Sequence, residues 1–192
     1  MAEYVADTQQ VGAESTSAPG DPVALSTFAT TTVILGCVFT GFIAPVLGAG
    51  LSFFAAVAFF GGLVLLMLGL RSSATLYAAY GGFLMTLGAV FVPSFGMASS
   101  ASSMLGLFFL TWTIFTGMFL LSTLRSSLST VLIHLLFFLA FLSLTIGELA
   151  GGMAVWLSIG GWLAIVCGLI AWYNAFVGLL STDHSFFKLP AW

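Results

Sequence analysis

Six long apolar runs dominate the chain, at about 28–44, 51–70, 76–93, 104–122, 129–147 and 153–180. Short breaks divide them. Pro45 and Gly48–Gly50 close the first run, Arg71–Ser73 the second, and Pro93 with 96–103 the third. Arg125–Ser127 closes the fourth and Gly147–Glu148 the fifth. A helix needs about 20 mostly apolar residues to cross a hydrocarbon core, so each run predicts one crossing. The pattern predicts an all-α integral membrane protein, a six-helix bundle at 27–182. It is flanked by an acidic, flexible N-terminal tail at 1–26 and a short C-terminal tail at 183–192.

Composition points the same way. Hydrophobic residues make up 60% of the 192 and charged residues only 5%, against about 25% charged in a soluble domain. The first 26 residues carry Glu3, Asp7, Glu14 and Asp21 and no base. They lack the positive start and short apolar stretch of a signal peptide. The net charge of −3 makes nucleic acid an unsuitable partner.

Only three side chains are Lys or Arg: Arg71, Arg125 and Lys188. With six crossings they fall in the second–third loop, in the fourth–fifth loop and after the last span, all on the face that also holds the N-terminus. Basic residues collect on the cytoplasmic side of short loops, so both termini are expected to be cytoplasmic. Arg125, in "LLSTLRSSLSTVL", then marks a turn. The alternative is an arginine inside the bilayer, which needs a carboxylate partner, and the neighbouring runs supply none.

Lipid offers no hydrophobic drive for helices to associate, so small residues that let backbones approach mark the packing faces. In the last run Gly161, Ala164, Gly168, Ala171, Ala175 and Gly178 recur at steps of three and four, one smooth helix face awaiting a partner. Glycine pairs at Gly61–Gly62, Gly81–Gly82 and Gly160–Gly161 suggest helix breaks or close packing. Trp156, Trp162 and Trp192 read as interfacial anchors. Cys37 and Cys167, each inside an apolar run, read as unpaired thiols.

Rare polar groups mark any path through such a bundle. The candidates are Thr30, Thr31 and Thr32; Tyr80; Thr111, Thr113 and Thr116; His134; and Tyr173 with Asn174. Each has a structural reading beside the functional one. Threonine hydroxyls bond a carbonyl one turn back, His134 suits a satisfied structural role, and Asn174 can bond a neighbouring helix. Once the loops are assigned, no Asp, Glu, Lys or Arg is expected inside the spans. No catalytic cluster, metal spacing or nucleotide motif is present, so no enzyme, no cofactor and no metal are expected. A pore without fixed charge remains open, its constriction made of apolar and aromatic side chains.

Several segments, in order, resemble the acetate/succinate permease family, also called the acetate uptake transporter or GPR1/FUN34/YaaH family. They are "AAYGGF" (78–83), "VFVPSFG" (90–96), "TWTIFTGMFLLSTLR" (111–125), "FLAFLSLTIGELAGG" (138–152), "IGGWLAIVCGLIAWYNAFVGLL" (159–180) and "FFKLP" (186–190). The N-terminal signature departs from the family's, keeping only Pro22 and Leu25 in "DPVALST". The second span and its loop lack the family's usual Gln and Asn. The resemblance implies a hexamer in which each subunit passes small monocarboxylates or dicarboxylates, such as acetate or succinate, through an apolar and aromatic narrow point. Carried across, that point falls on Phe28, Tyr80 and Phe137, where the family more often has Leu. Thr31 and Asn174 complete the candidate substrate path. A second reading keeps the fold without the transport: a structural subunit packed against other membrane subunits, with lipid around it.

Overall fold

The computed structural model describes residues 22–42, parts of 56–67, 71–90 and 102–180. Residues 1–21, the C-terminal tail with Lys188 and Trp192, Pro45, Pro93 and most of the expected second span lie outside the described residues; residues 22–26, expected as the end of a flexible tail, are helical instead. Five helices are described along their length: α1 Pro22–Phe39, α2 Arg71–Val90, α3 Ser102–Thr123, α4 Leu128–Leu149 and α5 Ala154–Leu180. The described residues between 56 and 67 are helical as well.

The ends differ from the apolar runs in instructive ways. α1 begins at Pro22, six residues before its run, because proline at a helix start gives up no hydrogen bond the helix would have used. α2 begins at Arg71, so the Arg71–Ser73 stretch read as a break forms the first turn of a helix. Polar residues can extend a helix beyond the part that must be apolar. Arg125 lies exposed in the turn between α3 and α4. The Ser127 side chain caps the next helix by accepting from the Thr130 amide. After α4 the chain reverses through Gly151 and Gly152 at φ of 86° and 83°, a left-handed backbone that favours glycine. Their amides return to the carbonyls of Glu148 and Gly147.

Glu148 corrects one expectation. It falls inside α4, in the last turn, and is buried, with the Ser102 hydroxyl as a hydrogen-bond partner. The sequence had placed it in the loop after the fifth span. Gly147 and Glu148 look like a turn, but the reversal waits for the two glycines that follow.

The glycine pairs in α2 and α5 do not break their helices. Gly81, Gly160 and Gly161 sit instead where another helix comes close. A methyl group built on Gly36 of α1 would stand 2.5 Å from the Gly161 carbonyl, and one on Gly161 would stand 2.8 Å from the Gly36 carbonyl. One on Gly168 would meet the Ala29 carbonyl at 2.9 Å. The small-residue face of α5 therefore has its partner in α1, which runs antiparallel to it. On its other side α5 packs on α4, and α4 packs on α3. Ser143 of α4 donates to the Trp156 carbonyl of α5 across 2.7 Å, and the Cys167 thiol donates to the Ile133 carbonyl across 3.3 Å. Cys37 is half-buried, and both cysteines are free thiols.

Outward faces are apolar too. Along α3, Met104, Leu107, Ile114, Met118 and Leu121 are exposed, and along α5, Val155, Trp162, Val166, Leu169 and Phe176. Water would penalise such continuous apolar stripes; hydrocarbon does not. α3, α4 and α5 are each long and apolar enough to span a bilayer. The chain is an integral membrane protein.

Replacing Gly161 by alanine forces a backbone apart and is expected to destabilise the fold by about 1–3 kcal/mol. Gly82→Ala is its counterpart, because nothing lies within 4 Å of a methyl group there. That change should stabilise by up to about 1 kcal/mol through helix propensity. Thermal melts of both variants in detergent read the two signs.

Candidate functional site

Three helices send a ring to the same point. Phe28 comes from α1, Tyr80 from α2 and Phe137 from α4. Ring centroids lie 5.7 Å apart for Phe28–Tyr80, 5.1 Å for Phe28–Phe137 and 5.1 Å for Tyr80–Phe137. The Phe28–Phe137 pair is edge-to-face at 82°, an arrangement favoured by the ring quadrupole. All three rings are buried.

A second group of rings follows. Phe83 stands three residues beyond Tyr80 and Phe141 four beyond Phe137, one helical turn on in each case and on the same faces. Phe83 and Phe141 meet edge-to-face at 4.9 Å, and Phe109 of α3 lies 6.4 Å and 6.3 Å from them. Phe39 of α1 closes on Phe109 at 5.6 Å. Phe83, Phe109 and Phe141 are wholly buried. Trp112 spans the two groups, 6.1 Å from Tyr80 and 4.9 Å from Phe83. The sequence reading named one ring group and missed this one, although the spacing from Tyr80 and Phe137 carried the signal.

Hydroxyls stitch the rings' helices together. Tyr80 donates to the Thr116 hydroxyl across 2.9 Å, joining α2 to α3. Thr113 and Thr145 lie 3.1 Å apart, one donating to the other and joining α3 to α4, while the acceptor returns its own proton to a carbonyl one turn back, Phe109 for Thr113 or Phe141 for Thr145. Thr31 is buried, and its hydroxyl reaches the Thr27 and Phe28 carbonyls. Thr30 donates to Ser26 and accepts from the Trp172 indole. Thr111 likewise turns back to Phe108. Nδ1 of His134 bonds the Thr130 carbonyl at 2.8 Å, and its ring stacks on Phe119, the structural role the sequence suggested.

Among the proposed path residues the structure therefore brings Phe28, Tyr80 and Phe137 together. Thr31 lies one turn from Phe28 with its proton committed to its own helix. Asn174 is half-buried on α5, and no described hydrogen bond joins it to the rings. The described cations are remote from the triad in sequence: Arg125 lies in the α3–α4 turn and Arg71 at the start of α2.

A helical membrane protein with a ring-lined interior is the class these features define. The chain belongs to the GPR1/FUN34/yaaH family, whose profile matches residues 6–192. It is similar to Accumulation of dyads protein 2 of Saccharomyces cerevisiae, 33% identical across 88% of this chain and 66% of that protein. It is also similar to Acetate permease A of Emericella nidulans, 31% identical across 88% of this chain and 64% of the other. The chain thus spans about two thirds of the length of these fungal relatives. The solved structure of the bacterial acetate channel SatP superposes with a TM-score of 0.79 at 27% identity, covering 88% of this chain and 96% of that one.

The Tyr80–Thr116 bond makes a checkable claim about the ring group. A double-mutant cycle of Tyr80→Phe and Thr116→Val should give a coupling of about 0.6–1.7 kcal/mol, the range for hydrogen bonds between membrane helices. Unfolding titrations in mixed micelles measure it, and a coupling of zero means the hydroxyls do not meet.

Proposed function

We propose that the chain is a permease for small carboxylate anions, acetate and succinate foremost, and that Phe28, Tyr80 and Phe137 form its narrow point. One observation carries the reading: three helices distant in sequence converge their aromatic rings in the interior of a fold whose solved relative is an acetate channel. Passage involves no covalent chemistry. An apolar constriction excludes water and so sets a dehydration barrier. Ring edges carry partial positive charge that offsets part of this barrier for an anion. The Tyr80 hydroxyl, by turning from Thr116, can donate to a carboxylate oxygen in transit. Among the described residues no ion pair or cation contact with the rings is seen, which suits conduction, since an ion held too tightly does not leave.

On this reading six copies assemble with the apolar stripes of α3 and α5 turned to lipid or to neighbouring copies. The Arg125 turn faces the cytoplasm, as do both termini. A second reading has its own support. Phe83, Phe109 and Phe141 are wholly buried, so the interior is filled as a structural subunit's would be, and the chain would then serve other membrane subunits without transporting.

Reconstitution into liposomes separates the two. Radiolabelled acetate should accumulate with the parent protein. Phe137→Leu, which trims one ring of the constriction, should speed uptake by about fivefold to tenfold, the effect of about 1 kcal/mol removed from a barrier. Equal, background uptake for the parent, Phe137→Leu and Tyr80→Ala would leave the structural reading.

A further inference from the structure

One turn along α1 from the triad stands a hydroxyl with nothing to bond. On α1, Phe28, Thr32, Leu35 and Phe39 follow at steps of four, three and four, which is a single helix face. Phe28 belongs to the first ring group, and Phe39 touches the second through Phe109. Thr32 lies between them, about 6 Å along the axis from Phe28 at about 1.5 Å per residue. It is completely buried, and its Oγ1 has no hydrogen-bond partner.

That orphan has a local cause. A threonine inside a helix ordinarily returns its proton to the carbonyl four residues back. For Thr32 this is the Phe28 carbonyl. The helix already uses that oxygen for the Thr32 amide, and the Thr31 hydroxyl takes it as well, at 2.9 Å. Both lone pairs are engaged. The neighbouring threonines solve the same problem without conflict: Thr30 bonds Ser26 and Thr40 bonds Gly36. Buried polar groups are almost always paired, so an unpaired one facing the interior needs an explanation.

We propose that the Thr32 hydroxyl is the donor of a binding stop for a short-chain monocarboxylate, one helical turn along α1 from Phe28 of the triad and level with the Phe83–Phe141 rings. The inference rests on the permease reading and adds a substrate preference to it. One free O–H can hold one carboxylate, and the aromatic interior one turn away at Phe28 suits a short alkyl tail. A dicarboxylate would bring a second charge that finds no cation there, since the described bases, Arg71 and Arg125, stand at helix ends. The stop therefore favours acetate over succinate.

Thr32→Val keeps the side chain's shape and removes the proton; Thr32→Ser keeps the proton. In phosphatidylcholine liposomes, Thr32→Val should raise the acetate concentration giving half-maximal uptake about tenfold, the loss of roughly one charge-assisted hydrogen bond. Thr32→Ser should stay near the parent, and so should Thr30→Val, whose hydroxyl belongs to its own helix and Trp172. Half-saturation by succinate should be the same in Thr32→Val as in the parent. An unchanged acetate half-saturation in Thr32→Val, or an equal change in Thr30→Val, overturns the proposal and leaves the permease reading standing. Binding is read separately, from the rise in melting temperature that sodium acetate produces in detergent. Stabilisation of the parent that Thr32→Val loses supports the stop even where no uptake is seen, an outcome that would sink the permease reading alone. Equal stabilisation of both proteins overturns the stop.

Discussion

The close backbone contact between α1 and α5 is the constraint on which the interior depends. In lipid, apolar side chains gain little by leaving their surroundings, so helices hold together where they can approach closely. Gly36, Gly161 and Gly168 provide that approach, with carbonyl oxygens where side chains would otherwise be. The contact also orients α1. Ala29 presses its carbonyl against Gly168, which turns the adjacent Phe28 away from α5 and toward Tyr80 and Phe137. A side chain at any of these glycines would displace α1 and, with it, one ring of the triad.

Where the glycines set distance, the hydroxyls set rotation. Interhelical bonds of modest strength, Tyr80 to Thr116 and Thr113 to Thr145, stop α2, α3 and α4 from turning their rings outward. Aromatic pairs are tolerant of angle: those in the interior range from near-stacked to edge-on. Directional bonds are needed to select among the packings that rings alone would permit. The combination gives a bundle whose inside and outside are about equally apolar, differing in ring content and in the few oxygens that face inward.

Much of this was legible beforehand. Apolar runs located α3, α4 and α5 to within a few residues, and the small-residue steps of α5 announced a close partner without naming it. The helix starts at Pro22 and Arg71 were not legible from hydropathy, because the apolar part of a helix need not be the whole helix. Glu148 was misplaced for a related reason: a polar residue near the end of a run looks like a boundary, and only backbone geometry tells that the turn comes at Gly151. The triad came from a resemblance. Helices that are apolar on every side carry no periodic signal distinguishing the face toward lipid from the face toward the interior. The second ring group could have been derived from the first by adding a turn. Thr32 was visible as one of three threonines in a row. That it alone lacks a bond depends on which of two adjacent hydroxyls captures one carbonyl, and no sequence pattern records that choice.

The stacking of two ring groups one helical turn apart has an electrical consequence. Protons cross membranes along unbroken files of water, handed from molecule to molecule. Packed rings, such as Phe137 and Phe141 with centres 4.5 Å apart, offer such a file no hydrogen-bond partners along their faces. On the permease reading, an interior closed by such rings resists the passage of protons by excluding water.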